Sequence, residues 1–245
     1  MAKFKKIIPA LCMLVVSAIM AVSTTYAWFS MNNTVKATGM EVTAKSNAEY
    51  FVISNSSTLG TDISLTLTSA SSGGVNDDKK SVYPCAKATS TNAADLSLTV
   101  GDWYTANSTK VDAAASLVNG TNADATNIKK IDSGDLSKYQ LTYEFYVGFT
   151  SDSVGMTNGT LTVKATDYTN LANGTSAVVS IADGTGSVDL SSSSESGDIT
   201  GLTFTPGQSK KVTVIVYMDG NNENIKGYTA TSLSGTLALE FTIAG

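Results

Sequence analysis

The chain has 245 residues and no histidine, and its 16 lysines and arginines stand against 21 aspartates and glutamates. Without imidazole, Ser-His and Cys-His nucleophilic pairs and a zinc motif of two helical histidines are excluded. The negative balance, with no basic cluster after the first six residues, leaves no electrostatic footprint for nucleic acid or an anionic membrane surface.

In chain order, residues 1–27 read as a secretory signal peptide. Lys3, Lys5 and Lys6 precede a mostly apolar run from Ile7 to Val22, and small residues follow it. The run is short for a bilayer span, which needs about 20 apolar residues. Thr25 and Ala27 put small side chains where a signal peptidase reads, so cleavage is expected before Trp28. An uncleaved anchor is the alternative reading of the same run. A lipid-modified Cys12 is disfavoured, because this cysteine sits inside the apolar run rather than at its end.

Cleavage would remove three lysines and no acid, leaving 13 basic and 21 acidic residues and a net charge near −8. The expected product is secreted, without a stable membrane anchor. It is long enough for a real hydrophobic core, and Cys85 is its only cysteine. No intrachain disulfide can form, so packing must hold the fold, and a buried, inert thiol is the commoner fate of a lone cysteine.

Residues 28–38 make an amphipathic strand, with Phe29, Met31, Asn33, Val35 and Ala37 on one face and Ser30, Asn32, Thr34, Lys36 and Thr38 on the other. After Gly39 the apolar parity flips to Met40, Val42 and Ala44, so two strands, or a bulge, meet there. A terminal strand of this kind can pair within its own domain or be donated to a neighbour's sheet. Physics alone favours intrachain pairing, since sequential strands usually neighbour one another.

The rest, 39–245, reads as one all-β domain. Alternation marks strands at Met40/Val42/Ala44, Ile63/Leu65/Leu67, Leu141/Tyr143/Phe145/Val147/Phe149, Leu161/Val163/Ala165, Ala177/Val179/Ile181, Val212/Val214/Val216/Met218 and Leu237/Leu239/Phe241/Ile243. Shorter candidates are Tyr50–Ile53, Leu96–Val100, Val188–Leu190 and Ile199–Phe204. Many short strands with one apolar face each must close against a second sheet, which predicts a β-sandwich of jelly-roll type. Tight turns are expected at Asn119-Gly120, Asn158-Gly159, Asn173-Gly174, Asp183-Gly184 and Asp219-Gly220. Ser69–Lys80 and Ser191–Gly197 read as long polar loops. Between Asp112 and Tyr139 the alternation fades, predicting an excursion with a short helix near Asp135–Tyr139 or within Ala113–Val118.

Little catalytic chemistry is left. Paired carboxylates suffice for a glycosidase, but Asp62, Asp77, Asp102, Glu144, Asp167 and Asp183 are scattered, as solvated surface charge is. Glu144 belongs on the polar side of its strand. Asp219, Asn221 and Glu223 place oxygens at alternate positions, a weak cation candidate against the plainer reading of a hairpin turn. Trp103-Tyr104 is the best aromatic pair for a sugar platform, and a partly buried pair is its commoner fate. No cofactor is called for. The end, Leu239–Gly245, has no apolar tail or sorting motif, so covalent wall attachment is not expected.

Ala27-Trp-Phe-Ser30 followed by Val35-Lys-Ala-Thr-Gly-Met-Glu-Val-Thr-Ala44 resembles the start of the TasA and camelysin family of Gram-positive biofilm-matrix proteins. A weaker likeness lies in Val212–Gly220 followed by Leu237–Ile243. The resemblance implies cleavage by a SipW-type signal peptidase and a jelly-roll subunit that assembles into cell-surface or matrix fibres. Polymerisation would proceed by donation of the N-terminal strand through Phe29, Met31, Val35 and Ala37, with matrix accessory proteins as further partners. Camelysin-type proteins have been called metalloproteases; a chain without histidine or a zinc motif gives that no support. The reading is therefore a non-enzymatic structural protein. A monomeric adhesin or glycan-binding module is the alternative.

Overall fold

The computed structural model describes residues 40–46, 50–75, 81–88, 92–93, 96–106, 128–167, 174–191, 194–222, 225 and 230–244. All belong to one compact unit, Thr38–Gly245. The signal peptide, its junction at Thr25, Ala27 and Trp28, and the strand carrying Phe29, Met31, Val35 and Ala37 lie outside the described residues.

The chain is all-β, and ten strands, numbered here along the sequence, build two large sheets. They are β1 (Met40–Ser46), β2 (Phe51–Ser54), β3 (Ser64–Leu67), β4 (Gln140–Phe149), β5 (Met156–Asp167), β6 (Thr175–Ile181), β7 (Val188–Leu190), β8 (Ser196–Phe204), β9 (Ser209–Met218) and β10 (Gly235–Ala244). Sheet one has the order β8-β5-β10-β1-β3, and sheet two the order β7-β6-β9-β4-β2. Ser72–Gly73 adds a short pairing to the start of β4.

The apolar parity read from the sequence is the parity that is buried. In β4, Leu141, Tyr143, Phe145 and Val147 are fully buried while Thr142, Glu144 and Tyr146 are half-buried. The same holds for Leu161, Val163 and Ala165 in β5 and Leu237, Leu239 and Phe241 in β10. Both sheets send these side chains into one hydrophobic cluster. Edge-to-face ring pairs cross between the sheets, Phe145 with Phe241 at 5.7 Å and Phe51 and Phe149 with Phe204 at 5.5 and 5.7 Å. Each such pair adds about 0.5–1.5 kcal/mol to the burial of its rings. The Tyr143 hydroxyl, reaching across from sheet two, donates to the Met40 carbonyl in sheet one at 3.2 Å. Burial, with Glu41 nearby, holds that phenol well above its ordinary pKa.

Strand β1 lies inside sheet one. It runs parallel to the last strand, β10, from Met40 opposite Gly235 to Ser46 opposite Phe241, and antiparallel to β3 on its other side. Parallel partners cannot be joined by a tight turn, and here almost the whole domain lies between them.

One expectation is corrected. Asn158-Gly159 is not a hairpin turn but lies within the twelve-residue β5. Asn158 adopts φ 55°, and the pairing with β8 slips on both sides of Gly159, which is a β-bulge. The tolerance for positive φ that suits Asn-Gly to turns serves equally for an inserted residue. By contrast Asp183, at φ 62°, does sit in a turn, where the Gly184 N–H donates to the Ile181 carbonyl at 3.1 Å.

The excursion holds the expected short helix and adds strands to it. Trp103–Ala106 pairs with Ala86–Lys87 and with Ile128–Lys130 in a three-stranded sheet, and the expected short helix is a 3₁₀ helix at Ser133–Lys138. The alternative helix at Ala113–Val118 lies outside the described residues. This layer packs on the outer face of sheet two. Cys85, Ile131, Tyr139, Trp103 and Leu136 join Val178, Ile215 and Tyr217, which β6 and β9 carry on the parity facing away from the main core.

Candidate functional site

Sheet edges decide whether a β-domain can accept a further strand, because an end strand leaves one row of backbone N–H and C=O groups without a ladder partner. Beside β8, the Thr185 N–H donates to the Thr200 carbonyl at 3.1 Å, tying sheet one to the chain that leads into β7. The opposite end of sheet one is different. Strand β3 is four residues long, pairs only with β1 among the described residues, and has Ser64 and Thr66 exposed. On its inner side Leu65 and Leu67 pack only partly against the core, and Ile63 just before it is 47% exposed. Met40, Val42 and Ala44 of β1 are buried, so among the described residues it is at β3 itself that the apolar layer thins.

This edge lies one strand away from the start of the described chain. β1 has β10 on one side and β3 on the other.

The remaining predicted residues do not converge. The Glu144 carboxylate is on the polar side of β4, as expected, and accepts from Lys211 Nζ at 2.9 Å; this contact raises the lysine pKa. Asp183 pairs with Lys210 at 3.0 Å, and Asp102 pairs with Lys130. Asp62 is exposed, Asp167 ends β5, and Asp77 lies outside the described residues. No group of three acids or cysteines capable of holding a metal occurs among the described residues.

Asp219 is mostly buried at the end of β9. Its Oδ1 accepts from the Asn221 N–H at 2.9 Å, while its backbone carbonyl accepts from the Asn222 N–H at 3.0 Å. Burial pushes its carboxyl pKa up, against the Asn221 and Ser176 hydrogen bonds that lower it. Asp219 thus fixes a turn with its own side chain, as aspartate commonly does. Glu223, the third member of the cation candidate, lies outside the described residues.

Trp103 is half-buried and Tyr104 buried, and the Trp103 ring stands edge-on to Tyr217 at 4.8 Å. The Tyr104 hydroxyl accepts from the Thr99 N–H at 3.1 Å. The pair secures the covering layer rather than forming an open platform. Cys85 is fully buried, with its Sγ 3.6 Å from the Tyr139 carbonyl, and burial first, then Asp219, holds its thiol well above the usual pKa. Such a thiol is inert.

Sequence reasoning missed Lys87, whose Nζ donates to Ser187 Oγ at 3.0 Å and to Asp189 Oδ1 at 3.2 Å. No local signal could have found it, since these partners lie 100 and 102 residues away along the chain. Comparison of the chain with protein-family models, with curated proteins and with solved structures found no match.

Proposed function

We propose that this chain is a secreted structural subunit of the TasA/camelysin kind, which assembles into extracellular or cell-surface fibres by donating residues 28–38 to the next subunit. In this reading residues 1–27 form a signal helix removed by a SipW-type peptidase, the body is a jelly roll, and the protein is not an enzyme. The observation that carries it is the placement of β1 between β10 and β3, beside a short edge strand whose Leu65 and Leu67 are incompletely covered. A strand presenting Phe29, Met31, Val35 and Ala37 would extend that apolar layer. Added antiparallel to β3, it would give up water-exposed apolar surface on both partners, worth about 25 cal/mol per Å² buried. Intrachain addition must carry the same segment from Met40 past β3, whereas a second molecule meets the edge directly.

Purified mature protein should begin at Trp28 by N-terminal sequencing and form filaments visible by electron microscopy. Deletion of residues 28–38 should abolish the filaments while leaving the β-sheet circular dichroism intact. Filaments that survive the deletion would sink strand donation. A mature protein that stays monomeric and binds a glycan array would favour the adhesin reading.

A further inference from the structure

Where β6 and β9 end under the covering layer, the outer face of sheet two holds a cleft of about 280 Å³. Ser176 and Tyr217 are cross-strand partners there, and Leu190 and Asp189 follow on β7 opposite Ala177 and Val178. Asp219 and Asn221 border the cleft from the turn after β9, Ser191 and Ser194 from the segment after β7, and Lys87 from the covering layer. This volume lies just below the range of sites for drug-sized ligands, so it accommodates one ring.

The chemistry of the walls selects among ligands. Among the described residues the one cation lining the cleft, Lys87, is already paired with Asp189, so these residues hold no excess positive charge for a phosphate. The described residues provide no third acid for a divalent ion. What remains is a mixture of hydroxyls, an amide and two carboxylates beside the nearly buried Tyr217, while Leu190 belongs to the main core. Each carboxylate has about four lone-pair sites. Asp219 uses some on Ser176 and the Asn221 N–H and Asp189 uses one on Lys87, so both keep acceptor capacity. Vicinal hydroxyls of a sugar both donate and accept, which matches walls that mix hydroxyls, an amide and carboxylate acceptors.

We infer that this cleft is a binding site for a single neutral sugar residue, free or within a polysaccharide. The inference does not rest on strand donation, since the cleft lies in the other sheet. A molecule that fails to polymerise can still bind.

The test is titration of the ¹⁵N-labelled mature protein with glucose, galactose and N-acetylglucosamine, followed by two-dimensional NMR. A single ring of about a dozen heavy atoms should bind in the millimolar range. At least one sugar should give saturable shifts at the amides of Ser176, Lys87 and Asn221. Asp189→Ala and Ser194→Ala, both at exposed positions, should keep the native spectrum, and Asp189→Ala should weaken binding about tenfold, as loss of a charge-assisted bond does. Asp219→Asn, if it folds, should do the same. Absence of shifts with all three sugars at 50 mM (about fifty times a Kd of roughly 1 mM), or shifts that Asp189→Ala leaves unchanged, would overturn the assignment. Calcium chloride moving these amides while sugars do not would overturn it too.

Discussion

The outer face of sheet one carries Lys45, Thr162, Lys164, Glu240 and Thr242, whereas the outer face of sheet two carries Val178, Ile215 and Tyr217 at equivalent alternate positions. The first face is polar, with Lys45, Lys164 and Thr242 exposed on it; the second is roofed by the layer between Ser81 and Tyr139. The lesson is that parity, which is counted along one strand, says which side of that strand is apolar and nothing about whether both are. In β6 the run Thr175-Ser-Ala-Val-Val179 is buried on both sides, the mark of a strand covered twice. Open antiparallel sheets show a clean alternation instead, as β5 does.

The contrast can be broken most directly by placing a charge under the roof. Val178→Asp should lower stability by about 3–5 kcal/mol in urea denaturation, because an unpaired buried carboxylate has no compensating cation. Tyr217→Ala should lose somewhat less, about 3 kcal/mol, through the cavity left beneath Trp103 and the lost ring contact. If either variant unfolds with wild-type stability, the roof does not rest on this face.

Cys85 reports the roof without perturbing it. In the folded mature protein its thiol should resist a maleimide at pH 8, and Tyr217→Ala should accelerate labelling. Equal labelling rates for folded and urea-unfolded protein would show that the layer is not closed.

Asp219, at the rim of the roof, adds a pH signature. Its folded pKa is raised, mainly by burial, so the folded state holds its proton more tightly than the unfolded chain does. Stability from this group is present at pH below the ordinary aspartate value and is lost as pH rises through the raised one. Asp219→Asn should therefore gain on the wild type as pH increases across that window, by about a kcal/mol or less. A difference independent of pH would place the carboxylate in water. The smallest effect belongs to sheet one, where Thr242→Val on the open face should change stability by less than about 0.5 kcal/mol.

Much of this was legible along the chain. Six of the seven long alternations became strands with the expected side buried, because alternation is a local consequence of the pleat, while Ile63/Leu65/Leu67 is only partly covered. The polar placement of Glu144 followed from the same rule. Off-parity Val178, Ile215 and Tyr217 were visible too, and would have announced the roof had both parities been weighed. The bulge at Asn158-Gly159 was not legible, since a bulge and a turn ask the same φ of the same residues. For the cation candidate, Asp219 and Asn221 had the right spacing, yet the side chain of Asp219 is engaged by its own turn.

The sequence by itself determined the all-β class, the buried face of most strands and the absence of histidine chemistry, because composition and period act over a few residues. Only the tertiary structure decided that the first described strand lies parallel to the last, that β3 leaves an edge incompletely covered, and that Lys87 meets Asp189 beside a cleft. These depend on which distant strands share a sheet, and backbone hydrogen bonding, identical at every residue, carries no sequence label for its partner. Packing of the two apolar layers selects the pairing, and that selection exists only when the whole chain is folded.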